Sequence, residues 1–283
     1  MRRSFDRAAA SYDAAAVLPA EVRAGLLERL DLIAVKPRRV LDAGAGTGHA
    51  SRALKRRYPN ARVIAVDSAL GMLRAAERRS SWLRRFDRVC ADAGQLPLAG
   101  SSVDLILSNL MLQWCDPDTV FAEFRRVLAP GGLLSFTSFG PETLRELRTA
   151  WGQVDRFCHV NTFIDMHDLG DALVRAGFEA PVLDVERYTL RYANVRALAS
   201  DLKAMGASHV LAGHTKGLTT PAKFAAMAAA YEGLRHDGRL PATHEIVFGQ
   251  AWAPAREPRP QTGNNSTVSL QEVKRQLSRV RAP

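Results

Sequence analysis

The sequence predicts an α/β protein built on a doubly wound, mainly parallel sheet of about seven strands with helical lid insertions. Three observations lead there. Short apolar runs, several ending in an acidic residue, alternate with helical patterns between residues 39 and 139. The first run leads into a glycine-rich loop, Gly44-Ala45-Gly46-Thr47-Gly48. Beyond residue 140 the alternation gives way to helical stretches that enclose two further strand candidates.

The elements follow in order. Val17, Leu18, Val22, Leu26, Leu27, Leu30 and Ile33 recur near a helical period, predicting a helix over 17–34 that Pro37 ends. A strand over Arg39–Ala43, a helix from His49 to about Tyr58 and a turn at Pro59-Asn60 come next. Arg62–Val66 reads as a strand ending at Asp67, followed by a helix from Leu70 to about Ser80. Arg88–Ala91 and Val103–Ser108 are strand candidates. A helix over Thr119–Leu128 stops at the Pro130-Gly131-Gly132 turn, and Leu133–Ser138 is the fifth strand. Later come helices over 141–154, 166–176, 195–205 and 221–235, with Gly177 as a C-cap and strands over 182–191 and 244–252.

Composition narrows the class. The 283 residues are 47% hydrophobic and 24% charged, enough to bury a sizeable core. No apolar run reaches the length of a membrane span, and the basic, alanine-rich start MRRSFDRAAASYD has no apolar h-region. A soluble, cytoplasmic, monomeric protein is the expectation. Cys90, Cys115 and Cys158 form no C-x-x-C pair, so free thiols are expected and no metal site. The net charge of +10 favours an acidic partner or reflects solvated arginine-rich faces. Part of the excess lies in a polar, proline-rich tail after about residue 255, expected to be disordered or loosely helical.

The chemistry concentrates at strand ends. In Val40-Leu41-Asp42-Ala43-Gly44-Ala45-Gly46-Thr47-Gly48 an acid closes a strand, and glycines at alternate positions leave backbone amides open to a ligand. The spacing is G-x-G-x-G, not the dinucleotide G-x-G-x-x-G. Asp42 would pair with an ammonium beside a bound carboxylate. Asp67, at the end of the next strand, would accept from ribose hydroxyls. Asp92 would accept from an adenine amine, and Ser108-Asn109-Leu110 lies beside the same crevice.

As a set, LDAGAGTG at 41–48, VIAVD at 63–67, ADAGQLPL at 91–98, SVDLILSN at 102–109 and VLAPGGLL at 127–134 resemble the class I S-adenosylmethionine-dependent methyltransferases, whose core is Rossmann-like. The resemblance implies S-adenosylmethionine as cofactor. Asp42, Gly44 and Gly46 would line its methionine end, and Asp67 would hold the ribose with Ser68 and Met72 near the adenosine. Asp92 and Ala93 would contact the adenine, and Asn109 would lie near the sulfonium. Ala45 stands where that family often has cysteine.

The flanks add Phe5–Asp13, Gly140–Leu147, HVNTFIDMHDLGDALVRAGF at 159–178 and DGRLPATHEIVFGQAW at 237–252. With these the chain resembles, over about residues 4–254, the malonyl-[acyl-carrier protein] O-methyltransferases of biotin synthesis. That implies methyl-ester formation on the free carboxylate of a malonyl thioester borne by acyl-carrier protein or coenzyme A. It divides the chain into a helical cover (1–35), a cofactor-binding core (36–140), a sheet-completing lid region (141–254) and a basic tail (255–283). A carboxylate is already ionised at neutral pH, so no catalytic acid or base is expected; the work is alignment and exclusion of water.

Arg145 is the candidate fork for the malonyl carboxylate. Tyr12 would close the site, and His159 is a further candidate substrate binder or a structural histidine. Ser208-His209-Val210 and Gly213-His214-Thr215-Lys216-Gly217 depart from the family pattern. An acidic carrier protein suits the positive charge, with Arg74, Arg78, Arg79, Arg84, Arg85 and the stretch 191–216 as candidate docks. Two alternatives keep the same pocket: a methyltransferase for another small carboxylic acid, such as an aconitate-like one, and a protein-modifying assembly factor such as an arginine hydroxylase. Nucleic-acid binding rests on charge alone, since neither an N-P-P-Y signature nor an aromatic-interleaved basic stripe occurs.

Overall fold

Apolar β-branched runs such as Val63-Ile64-Ala65-Val66 bury both faces, as strands covered by helices on each side must. The structure, a computed structural model, describes residues 2–80, 85–205 and 220–255. Five strands run parallel: β1 (Arg39–Ala43), β2 (Arg62–Asp67), β3 (Asp87–Cys90), β4 (Val103–Ser108) and β5 (Leu128–Phe139). β7 (Leu240–Trp252) lies antiparallel between β5 and the edge strand β6 (Glu179–Tyr192). The seven-stranded order is β3-β2-β1-β4-β5-β7-β6. Successive crossovers leave β1 in one direction and β4 in the other, which opens a crevice at the carboxyl ends of those two strands.

The helices are α1 (Arg2–Ala8), α2 (Tyr12–Ala15), α3 (Val17–Arg29), α4 (His49–Arg57), α5 (Leu70–Glu77), α6 (Pro117–Val127), α7 (Arg145–Gly152), α8 (Met166–Arg175), α9 (Val195–Ala204) and α10 (Pro221–Glu232). On one face of the sheet, Leu18, Val22 and Leu26 of α3 pack with Leu54 of α4 and Leu73 of α5 onto Val40, Val63 and Leu105. On the other, Phe121 and Phe124 of α6 and Leu169 and Leu173 of α8 pack onto Leu41, Ile106 and Phe136. A third core joins α7, α9 and α10 through Leu147, Trp151, Leu198, Leu202, Met227 and Tyr231. Among the described residues no helix is long and apolar enough to cross a membrane.

Most predicted elements fall where expected, and the differences have physical causes. The first long helix ends at Arg29 and tightens into a 3-10 turn over Leu30–Leu32 instead of continuing to residue 34. β5 begins at Leu128 rather than Leu133, because Leu128 pairs with Val103 and the register shift beyond it absorbs the Pro130-Gly131-Gly132 segment within the strand. β6 and β7 outrun their apolar alternation because they pair with each other from Glu179↔Trp252 to Tyr192↔Leu240. The basic tail after residue 255, Arg84, and the segments Ser208–Val210 and Gly213–Gly217 lie outside the described residues.

Gly249 on β7 supports the ring of Phe136 on β5; a Cβ there would sit 2.2 Å from the ring. Since Phe136 is fully buried, Gly249→Ala is expected to cost about 1–3 kcal/mol by overpacking. Thermal denaturation would read this as a Tm lowered by several degrees, and an unchanged Tm would show that the ring is free to move aside.

Candidate active site

The crevice is built where β1, β2 and β4 end. Gly44 and Gly46 adopt φ of +74° and +53°, a region that L side chains avoid. This turn aims the loop's amides inward. The Gly44 and Ala45 N–H groups donate to the Val66 carbonyl, both at 2.9 Å. The Gly46 N–H donates to Asp67 Oδ2 at 2.9 Å, and the Ala69 N–H donates to Asp67 Oδ1 at 2.8 Å. Asp67 therefore ties the glycine loop to the start of α5 while each of its oxygens keeps a free lone pair. Burial pushes its pKa up, against the pull of these two amides.

The glycine loop, the β3 end and the segment after β4 enclose a cavity of about 380 Å³. Its walls include Tyr12, Gly44, Gly46, Asp67, Ser68, Met72, Asp92, Ala93 and Asn109, so nine of the residues singled out in the sequence meet in one place. Asp92 is exposed and accepts from the Gly94 N–H at 2.8 Å. The Asn109 side chain is already engaged: its Nδ2 donates to the Pro19 carbonyl, and its Oδ1 accepts from Thr137, both at 3.1 Å.

Asp42 stands slightly apart. It lines an adjoining cavity of about 190 Å³ that shares Tyr12, Gly44, Gly46 and Asn109 with the first. It is almost wholly buried, Ser51 Oγ donates to it at 2.5 Å, and burial raises its pKa to about 6.

The N-terminal segment roofs the site. The Gly71 N–H donates to Asp6 at 2.7 Å, Thr47 Oγ1 donates to Asp13 at 2.6 Å, and Arg79 pairs with Asp13. Phe5 packs edge-on against Trp114 with ring centroids 5.5 Å apart. Burial, reinforced by the nearby Asp67 charge, raises the Tyr12 pKa to about 12, so its hydroxyl stays protonated at neutral pH.

A second, apolar cavity of about 60 Å³ continues from the first under α9. It shares Phe5, Tyr12, Leu110 and Trp114 with the first and adds Phe139, Leu144, Phe163, Leu202 and His244. Burial lowers the His244 pKa to about 4, leaving that ring neutral.

Two sequence candidates are not brought to these walls. Arg145, at the start of α7, is half exposed and pairs with Glu142 at 3.3 Å and Glu146 at 3.6 Å. His159 is buried inside the lid, bonded to Asp155 at 2.7 Å and stacked on Trp151 with centroids 3.7 Å apart. Asp155 also binds Lys223 at 2.9 Å, which ties this corner to α10. His159 lines a separate cavity of about 200 Å³ between α7, α9 and α10. Phe5, Trp114, Asp13 and Arg23 are site residues that the motifs did not single out individually. The stretch Phe5–Asp13 was legible as a cover, but an arginine nearly two turns into α3 carries no local signal.

The fold resembles that of known enzymes. A family profile described as a methyltransferase domain matches residues 41–136. A putative methyltransferase from Bacillus halodurans C-125 superposes with a TM-score of 0.58 at 20% identity, covering 81% of this chain and 98% of that one. A malonyl-[acyl-carrier protein] O-methyltransferase from Methylovorus sp. (strain MP688) is 53% identical over 261 residues, 90% of this chain and 88% of the relative. One from Laribacter hongkongensis (strain HLHK9) is 54% identical over 268 residues, 92% and 90% of the two chains.

The buried Asp42 has a measurable signature. Its folded pKa of about 6 lies above the ordinary aspartate value of 3.8. The folded state thus holds the proton more tightly, and stability falls as pH rises through this window. The loss attributable to Asp42 amounts to up to about 3 kcal/mol above pH 6. Asp42→Asn keeps an acceptor for Ser51 and removes the charge. Urea denaturation is expected to show similar stability for the two proteins near pH 4 and a more stable variant at pH 7; parallel pH profiles would contradict the raised pKa.

Proposed function

The chain belongs to the malonyl-[acyl-carrier protein] O-methyltransferase family, and from that premise we propose that it methylates the free carboxylate of a malonyl thioester held on an acyl-carrier protein. The product is a methyl ester, whose uncharged end lets the acyl group be elongated as an apolar chain on the way to biotin. The observation that carries this reading is the apolar, uncharged cavity opening directly beside the larger strand-end cavity and sharing four wall residues with it.

The larger cavity fits S-adenosylmethionine. A Cβ at Gly46 would meet nothing within 4 Å, so the loop leaves open space beside it. Gly44 and Gly46 would flank the methionine end and Asp67 the ribose, using its two remaining lone pairs. Ser68 and Met72 would lie by the adenosine, Asp92 and Ala93 by the adenine. With the Asn109 side chain tied to Pro19 and Thr137, that residue acts by shaping the wall near the sulfonium. When bound, S-adenosylmethionine supplies an electrophilic methyl group.

The protein's own contribution is placement and dryness. Phe5, Leu110 and Trp114 exclude water from the junction of the two cavities. A carboxylate needs no base; among the described lining residues Tyr12 stays a phenol, and the lowered pKa of His244 makes it a weak base. Opposite charges are consumed in the transfer, so an apolar junction favours it. The Tyr12 hydroxyl is the donor placed to orient the carboxylate.

Mass spectrometry of malonyl-acyl-carrier protein incubated with the enzyme and S-adenosylmethionine is expected to show a gain of one methyl group. Methylation of free dicarboxylic acids in preference to the carrier-bound malonyl group would favour the other-carboxylic-acid reading. Asp67→Ala is expected to weaken S-adenosylhomocysteine binding at least about 10-fold in calorimetry, and to destabilise the fold by about 1–3 kcal/mol because two loop amides lose their acceptor. Unchanged affinity would contradict the ribose assignment.

An acidic carrier protein would dock on positive charge near the site. Arg74 on α5, Arg78 just past its end and Arg85 beyond are exposed, whereas Arg79 is committed to Asp13 and to the Thr47 carbonyl. The double variant Arg74→Glu with Arg78→Glu is expected to raise KM for the carrier-bound substrate several-fold and to flatten its salt dependence, leaving kcat nearly unchanged. Steady-state kinetics at low and moderate salt measures this, and an unaltered KM would place the dock elsewhere.

A further inference from the structure

The charged groups around the glycine loop are almost all matched. Asp13 binds Thr47 and Arg79, and Arg79 also donates to the Thr47 carbonyl. Asp67 accepts from two amides, and Asp42 accepts from Ser51. Arg23 is the exception. It is half-buried on α3 and makes no hydrogen bond or ion pair with any of the described residues. It lines the cavity of about 190 Å³ together with Asp42, Gly44 and Gly46. It is absent from the described lining of the apolar cavity.

A guanidinium removed from water without a partner is costly to keep. Its planar fork matches a carboxylate through two parallel hydrogen bonds. The cavity it faces is continuous with the cofactor cavity at the glycine loop, the end assigned above to the amino-acid moiety. Asp42 supplies the opposite charge on the same wall. An α-amino acid carries one carboxylate and one ammonium, and among the described residues this cavity presents one cation without a partner, Arg23, and one buried acid, Asp42. Burial depresses the Arg23 pKa while Tyr12, Asp42 and Asp13 pull it back, as for a charge held in place ahead of its counter-ion.

We infer that Arg23 is a binding residue for the carboxylate of the methionine end of the methyl donor, with Asp42 facing the ammonium. The inference rests on the S-adenosylmethionine reading of the site and adds to it the group that recognises the amino-acid end. Affinity for the donor and its demethylated product then depends on the zwitterion as well as on the nucleoside.

Calorimetry on the full chain separates these contributions. S-adenosylhomocysteine carries the amino-acid end; 5′-methylthioadenosine has the same nucleoside without it. Native protein is expected to bind the first more tightly. Arg23→Gln is expected to lose about 10- to 100-fold in affinity for S-adenosylhomocysteine, the scale of a charged hydrogen-bonded contact, and less than about 3-fold for methylthioadenosine. Arg23→Lys, which keeps the charge without the fork, is expected to fall between. Retained methylthioadenosine binding shows that the variant is folded. The assignment is overturned if Arg23→Gln binds S-adenosylhomocysteine as native does, or if both ligands lose equally. It is also overturned if only KM for the malonyl substrate rises. Native protein that binds neither ligand would bring down the cofactor reading itself, a result distinct from a failure of Arg23 alone.

Discussion

The site depends on one carboxylate that joins two loops. Asp67 ends β2 and accepts from Gly46 on one side and Ala69 on the other. Those two bonds fix the glycine loop relative to α5, and the space between them becomes the floor of the cavity. The left-handed turns at Gly44 and Gly46 follow from that closure: the chain must leave β1, offer its amides to Val66 and Asp67, and still enter α4 at His49. Parallel pairing of β1 with β2, Ala43 opposite Val66, sets the register that makes the bond possible. The cost of holding a partly buried acid there is offset by the two amides it satisfies.

The roof follows from the floor. Asp6 and Asp13 reach from the N-terminal helices to Gly71 and Thr47, residues next to the segments that Asp67 joins. Cover and loop are thus coupled through a short chain of hydrogen bonds, and the aromatic pair Phe5 and Trp114 closes the gap between them. Exposed ion pairs contribute little each. Their value here is geometric: they keep α1 and α2 over the crevice, where Tyr12 can face both cavities. The α7–α10 region, with its own core and the Asp155–His159–Lys223 corner, forms the far wall of the apolar cavity through Leu144, Phe163 and Leu202.

Much of this was legible in the sequence, and the limits were physical. β1 and β4 are bounded by composition on both sides, so their ends coincide with the expectation. The acids that line the strand-end cavities, Asp42, Asp67 and Asp92, were legible because strand ends and glycine spacing are local signals. The extents of β5, β6 and β7 were not, because antiparallel pairing between distant segments lengthens strands whose own alternation has lapsed. Arg145 and His159 illustrate the same limit at the level of side chains. Each lies in a suggestive motif, but its neighbours Glu142 and Glu146, or Asp155 and Trp151, claim the charge or the ring. Arg23 shows the converse. Nothing local marks it, and only the packing of α3 against the sheet brings it to the glycine loop.

Two acids, Asp42 and Asp67, and an arginine without a partner among the described residues, Arg23, put uncompensated charge around the glycine loop. Both acids are shielded from water; the Asp67 charge adds to the cost of ionising Asp42, and Asp6 adds to that of Asp67. A structure selected for stability alone would replace Asp42 by a neutral group and bond Ser51 just as well. Its retention next to Arg23 makes sense if a ligand with an ammonium, a carboxylate and a ribose completes the set. Binding then relieves the repulsion, and the relief is available only to a molecule carrying all three groups. The neighbouring cavity is built on the opposite rule: among the described residues its lining holds no ionised group near neutral pH, so a carboxylate entering it would find no competing counter-charge there. On the proposed reading, a polar half would recognise the donor and an apolar half would desolvate the acceptor, so alignment and dryness would stand in for a catalytic acid or base.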